Sequence, residues 1–384
     1  MLFLRVLGFF AAVTLILGML LDCFEAILLP RRVTRPYRYA RLFYRNAWLV
    51  WSQLARRLRP GRYRETLLSV FGPLSLVLLI VTWGIGLIVG FGLLGWSLAL
   101  TIHGGDGTGD LGTYIYLSGT TFLTLGYGDV TPGDAVGRVL AVIEAGLGFS
   151  FLALVIGYLP VFYQALARRE ALIAMLDARA GSPPTAGEAL RRAALSRDFN
   201  RLPAMLAEGE RWAAEIMESH LSYPVLSYYR SQHDNQSWVA TLATLLDTAA
   251  LLIAAVKTES TYQARMTFAM ARHVAVDLAM ILRIQPQTAS ADRLPEAALK
   301  QLLADLKADG VALNEGAGCA GKLAELRGMY EPFLVALAAH FLVTLPPVVP
   351  QQAGVDNWQT SAWMRRTPGI GGLSAPTPGD EHFD

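Results

Sequence analysis

Three long apolar runs, all within the first 166 residues, limit what this chain can fold into more than any other feature. They cover about 2–29, 67–100 and 135–166. A helix needs about 20 apolar residues to cross roughly 30 Å of hydrocarbon, so each run is long enough to span a bilayer. The composition agrees: 17% of residues are charged, against about 25% in soluble domains. Between the second and third runs, residues 101–132 are half-polar, which predicts something other than a simple span. The expected fold class is an all-α membrane protein joined to a helical C-terminal domain.

Eleven arginines and no Asp or Glu lie between Arg31 and Arg64. Lys and Arg beside membrane helices stay on the cytoplasmic side. This predicts a first helix with its N-terminus outside, a second running outward and a third returning, followed by Arg168 and Arg169. The first run is read as a retained span rather than a cleaved leader, because Arg5 is its only basic residue and no A-x-A site precedes its end. Asp22 and Glu25, near its cytoplasmic end, are expected to pair with Arg31 and Arg32. Residues 37–58 mix arginines with Tyr39, Phe43, Tyr44, Trp48 and Trp51, which suits a helix lying in the headgroup layer. Arg32, Arg35, Arg38 and Arg41 have the three-residue spacing of a voltage sensor. Pro30 and Pro36 interrupt that run, so interface anchoring is the better reading. Cys23 and Cys319 lie far apart and imply no disulfide framework.

The most informative stretch is Thr120-Thr121-Phe122-Leu123-Thr124-Leu125-Gly126-Tyr127-Gly128-Asp129. A dehydrated potassium ion needs oxygens in place of its water shell, and backbone carbonyls supply them if all point to one axis. That demands alternating backbone handedness, which glycine reaches without a Cβ clash. Here the chain resembles the potassium-channel family, whose filter commonly reads T-V-G-Y-G-D; the resemblance covers residues 67–166. It implies ion sites built from the carbonyls of Thr124, Leu125, Gly126 and Tyr127, with the Thr124 hydroxyl, and Asp129 at the outer mouth. It also implies a short re-entrant helix before the filter, with the Tyr116 hydroxyl bonded to Asp129. Leu125 replaces the usual Val, Leu123 a frequent second Thr, and Thr120 stands where some members carry a carboxylate. One filter strand per chain implies a homotetramer.

The same resemblance places Phe149, Leu152 and Ile156 on the cavity below the filter. Gly148, or nearby Gly146, takes the position of a gating hinge, with close helix packing the equal alternative. Glu144, also in this span, is read either as a contact to the filter's support or as a group near the mouth. Gly90-Phe91-Gly92-Leu93-Leu94-Gly95 matches the dinucleotide fingerprint, but it lies in a span with no preceding strand, so helix packing is expected.

After residue 166 the chain is rich in Ala, Leu and Arg. Helices are expected at 199–220, 237–257, 260–284, 295–308 and 320–343. Gly181-Ser182-Pro183-Pro184 should end the inner helix, and Thr185 with Glu188 should cap the next one. Segment 238–256 is nearly long enough to span, but Asp247 at its centre favours a buried helix in a protein core. His220, Tyr223, Tyr228, Tyr229 and His233 are candidates for a small-ligand pocket, as is the pair His273 and Asp277. The five expected segments are an N-terminal span (1–30), an Arg-rich interfacial segment (31–65), the pore domain (66–167), a cytoplasmic helical domain (168–345) and a disordered tail (346–384).

The chain is therefore expected to be a potassium-selective channel subunit of a plasma (bacterial inner) membrane. It is not expected to be an enzyme, to hold a cofactor other than the permeant ion, or to bind nucleic acid. Membrane lipid is an expected partner. The C-terminal half is either a ligand-binding regulator or a skirt that stabilises the tetramer. A weakly selective cation channel and a membrane-anchored signalling protein with a vestigial pore are the competing classes.

Overall fold

A computed structural model describes residues 2–29, 38–104, 109–195, 201–233, 236–257, 261–314 and 318–350. The elements run α1 (Leu2–Ile27), α2 (Tyr39–Arg57), α3 (Arg62–Ser97), β1 (Ile102–Gly104), α4 (Leu111–Phe122), β2 (Val130–Pro132) and α5 (Ala135–Ala180). They continue with α6 (Ala186–Leu195), α7 (Arg201–Ser222), a 3-10 turn (Pro224–Tyr228), α8 (Trp238–Ala255), α9 (Thr261–Ile281), α10 (Glu296–Ala308), α11 (Cys319–Gly328) and α12 (Glu331–Phe341). The protein is an all-α membrane protein; its one described sheet is the two-stranded antiparallel pair of β1 and β2, which brackets α4. The chain divides into two compact units, Met1–Gln164 with Ser222–Tyr229, and Ala165–Leu221 with Arg230–Asp384.

In the first unit α1, α3 and α5 are the helices long and apolar enough to cross a membrane. α1 packs along α3, burying Ala12 and Ile16 against Leu87, Phe91 and Leu94, and Phe122 of α4 closes the same cluster. The glycine triplet of α3 is a packing surface. A Cβ on Gly90 would meet the Ile16 side chain of α1 at 2.6 Å, and one on Gly92 would meet the Ile115 backbone of α4 at 2.7 Å. Side chains there would hold the helices apart.

Arg31 and Arg32, expected to pair with Asp22 and Glu25, lie outside the described residues. Asp22 instead accepts from Trp83 Nε1 at 2.9 Å and from Ala40 N, at the start of α2, at 3.0 Å. Glu25 faces Arg38 at 3.5 Å. The buried carboxylate of α1 thus ties α2 to α3, through donors no charge pattern reveals.

Residues 222–229 depart most from the expected organisation. They lie beyond the last span in sequence yet pack with the membrane helices. Tyr228 lies among Tyr44 (5.8 Å between ring centroids), Trp48 (5.2 Å) and Phe71 (5.4 Å). Tyr229 stacks edge-on against Phe162 at 5.1 Å and fills the space a side chain at Gly72 would need.

The second unit is built around α8, which packs against α6, α9, α11 and α12. Its apolar surface is covered by protein over 94% of the span-length window, so its hydrophobicity is satisfied without lipid. Asp247 is buried there and accepts from Tyr330 Oη at 2.6 Å and Arg293 Nη2 at 2.5 Å. α6 begins as expected, with Glu188 N donating to Thr185 Oγ1 at 3.3 Å. The expected helix 320–343 is two helices, α11 and α12, because Pro332 in the first turn of α12 supplies no N–H to continue α11. Residues 346–350 belong to the packed unit rather than to a tail. Arg293 Nε donates to Pro346 O at 2.8 Å, and Val348 N donates to Arg293 O at 3.0 Å. Residues 351–384 lie outside the described residues.

His220 is buried in this unit, its Nδ1 3.2 Å from Ser219 Oγ and its ring 5.2 Å from that of Trp238. Burial, reinforced by the Arg169 charge, holds its pKa well below the usual value. The unfolded chain then takes up a proton near pH 6.5 that the folded chain refuses. Stability should be unaffected by this group above about pH 6.5 and fall as pH drops below it. The acid-side fall in the melting temperature of the purified chain should shrink in His220→Asn; an unchanged fall would remove His220 as its source.

Candidate ion-conduction site

α4 has 12 residues, about 18 Å of helix, too short to cross the hydrocarbon. Asp110 starts it by accepting from Thr113 N at 2.9 Å. At its other end the helix frays into the filter sequence. Thr120 O accepts from both Leu125 N (2.8 Å) and Gly126 N (3.2 Å), and Thr124 N donates to Thr121 O at 3.0 Å. The negative end of the α4 dipole therefore adjoins the start of the filter stretch, which favours a cation there.

From Thr124 to Gly128 the backbone alternates in handedness. Thr124 has φ +57°, Gly126 +55° and Gly128 +78°, whereas Leu125 and Tyr127 have no positive φ. This is the alternation that lets successive carbonyls share a direction. A Cβ on Gly126 or Gly128 would meet no atom within 4 Å, so handedness rather than space requires glycine there. Thr124 adopts the same conformation with a branched side chain, which costs about 1–2 kcal/mol. No sequence signal marks that strain.

Tyr116 Oη donates to Asp129 Oδ2 at 2.7 Å, the bond implied by the resemblance. The β1–β2 pair holds the far side of Asp129: Gly104 pairs with Val130, and a Cβ on Gly104, whose φ is +90°, would collide with the Asp129 carbonyl.

The two candidate hinge glycines differ. A Cβ on Gly148 would collide with the Phe122 carbonyl at the end of α4, whereas one on Gly146 would meet nothing within 4 Å. Gly148 is thus a close-packing position in a helix that runs unbroken to Ala180. Phe149, Leu152 and Ile156 are exposed on the single chain, as are Leu125 and Tyr127, at 51% and 68%. Glu144 is buried and hydrogen-bonded to Ser118 of α4, whose hydroxyl also lies 2.7 Å from Ile88 O of α3. This three-helix contact carries no sequence pattern beyond an ionisable residue in a span.

The residues considered for a ligand pocket are divided between the two units. His220 and His233 belong to the second unit, and Tyr223, Tyr228 and Tyr229 to the first. His273 lies 3.7 Å from Asp277 but is mostly exposed on one helix face. Among the described residues no group of three His, Cys, Asp or Glu is placed to hold a metal ion.

Fold and site together define a membrane protein with a re-entrant loop between two spans. Residues 76–165 match the model of a family described as "Ion channel". The chain is also similar to the uncharacterized membrane protein YdjJ of Bacillus subtilis (strain 168), 26% identical over 210 residues, or 52% of this chain and 57% of YdjJ. It is also similar to protein LctB of Geobacillus stearothermophilus, 50% identical over 42 residues, or 11% of this chain and 31% of LctB. The chain spans little more than half of the first relative and under a third of the second. No solved structure matches it.

Proposed function

We propose that this chain is one subunit of a homotetrameric, potassium-selective channel in a bacterial inner membrane. The alternating backbone of Thr124–Gly128, at the carbonyl end of a re-entrant helix, carries this reading. Carbonyls of Thr124, Leu125, Gly126 and Tyr127 would coordinate potassium, with Gly128 and Asp129 completing the mouth. The match of residues 76–165 to an ion-channel family supports conduction. One filter strand cannot surround an ion, so four copies are needed. The exposed apolar residues Leu125, Phe149, Leu152 and Ile156 supply a surface for those copies and for the cavity wall. The second unit, on the cytoplasmic side in this reading, continues α5 and would bias the gate or stabilise the ring.

The test is ion flux from purified protein in liposomes, with mass measurement in mild detergent. Potassium should pass far faster than sodium, and the conducting species should be a tetramer. Equal fluxes of the two ions would sink selectivity. A monomer or dimer as the only conducting species would sink the assembly.

A further inference from the structure

We propose that Glu144 is a positioning residue that holds the pore helix, and through it the filter, to the inner helix as an uncharged acid. This rests on the conduction reading above. Glu144 of α5 and Ser118 of α4 are hydrogen-bonded, and both side chains are buried. Ser118 Oγ also lies 2.7 Å from Ile88 O in α3. A hydroxyl carries one proton, and Ile88 O has none to give. If Ser118 donates to Ile88 O, the bond to Glu144 needs a proton from Glu144. A carboxylate would leave two acceptors competing for one proton in a buried site.

The bridge reaches the filter in two steps. Ser118 lies one residue from Gly119 and two from Thr120, whose carbonyl receives the N–H groups of Leu125 and Gly126. Gly148, one turn along α5, packs against the Phe122 carbonyl. The inner helix therefore touches the pore helix at both ends of the turn that launches the filter.

The surroundings offer Glu144 no counter-charge. It lines a cavity of about 40 Å³ whose described lining holds no other carboxyl and no basic side chain. That volume has room for about one water. From α3 the lining residues are Phe91 and Gly95, and from the β1–β2 side Thr101, Ile102 and Pro132, none of them titratable. From α4 comes Tyr114, whose hydroxyl is bonded to Leu100 O at 2.5 Å. The nearby charges Arg5 and Asp134 act on Tyr114. A proton exchanged with this cavity would therefore be felt first at Glu144.

The experiment compares full-length wild type, Glu144→Gln and Glu144→Ala in liposomes, reading the potassium-to-sodium flux ratio from neutral to alkaline pH. Glutamine keeps a donor and stays neutral, so its ratio should stay within about twofold of wild type at neutral pH. Alanine should lower the ratio about tenfold or more. Wild type should lose selectivity on alkalinisation, and Glu144→Gln should not. An alanine variant equal to wild type would overturn the proposal, as would a glutamine variant that behaves like alanine. If the alanine variant fails to assemble, the alkaline profiles of wild type and glutamine decide: parallel loss overturns the proposal, loss in wild type alone supports it. If wild type passes no ion, the conduction reading has failed, and the bridge is judged by amide exchange at Leu125 and Gly126. Faster exchange on alkalinisation in wild type but not in Glu144→Gln supports the bridge; identical exchange overturns it.

Discussion

In the proposed channel, Gly126→Ala should collapse potassium selectivity. Gly126 has φ +55°, and nothing crowds the space where a Cβ would sit. The penalty is therefore conformational, about 1–2 kcal/mol for an L-residue held left-handed. In the proposed tetramer four copies would multiply it to about 4–8 kcal/mol. The filter would escape by rotating a peptide plane, which turns a carbonyl off the axis and removes an ion ligand. The flux ratio of potassium to sodium should fall toward one, while the tetramer still forms. A variant with wild-type selectivity would show that handedness at this position is not what selects the ion.

Asp247→Ala should unfold much of the second unit. The carboxylate is 2% exposed and receives both Tyr330 Oη and the Arg293 guanidinium. Arg293 also faces Glu331 at 3.6 Å and holds Pro346 O, so one truncation removes the nearer of the two carboxylates on a buried cation that organises α8, α12 and residues 346–348. Breaking a buried pair from one side costs about 3–5 kcal/mol, a large share of a domain's stability. Removing both charges together, as in Asp247→Leu with Arg293→Leu, should restore most of the loss, because no unpaired charge then remains. Denaturant unfolding followed by the fluorescence of Trp212 and Trp238, both buried in this unit, checks both variants. An Asp247→Ala midpoint equal to wild type would remove the pair as the unit's organiser.

The membrane spans were legible because their signal is mere length of apolar sequence, which no packing detail can hide. The handedness at Gly126 and Gly128 was legible because glycine is the one residue whose identity reports its backbone. Thr124 shares that conformation and was not legible, since threonine normally avoids it. Asp247 announced a protein-covered helix because a charge in mid-span is costly, but its partners lie 46 and 83 residues away and no spacing rule reaches them. The division of 320–343 into α11 and α12 is marked in the sequence by Pro332, although the apolar pattern runs on past it. Ser118 and Glu144, 26 residues apart on different helices, meet only once α4 is re-entrant. Tyr228 looked like a pocket residue because clustered aromatics serve ligand sites and cores alike.

The placement of residues 222–229 bears on how the chain is made. The last span leaves the ribosome well before these residues are synthesised, because α6 and α7 must be translated in between. Until then Phe71, Gly72 and Phe162 lack the aromatic rings that cover them. The bilayer-inserted helices therefore wait, half-finished, for a late stretch of nascent polypeptide to seat itself among them. A chain cut just after α5 would therefore lack part of the first unit's own core.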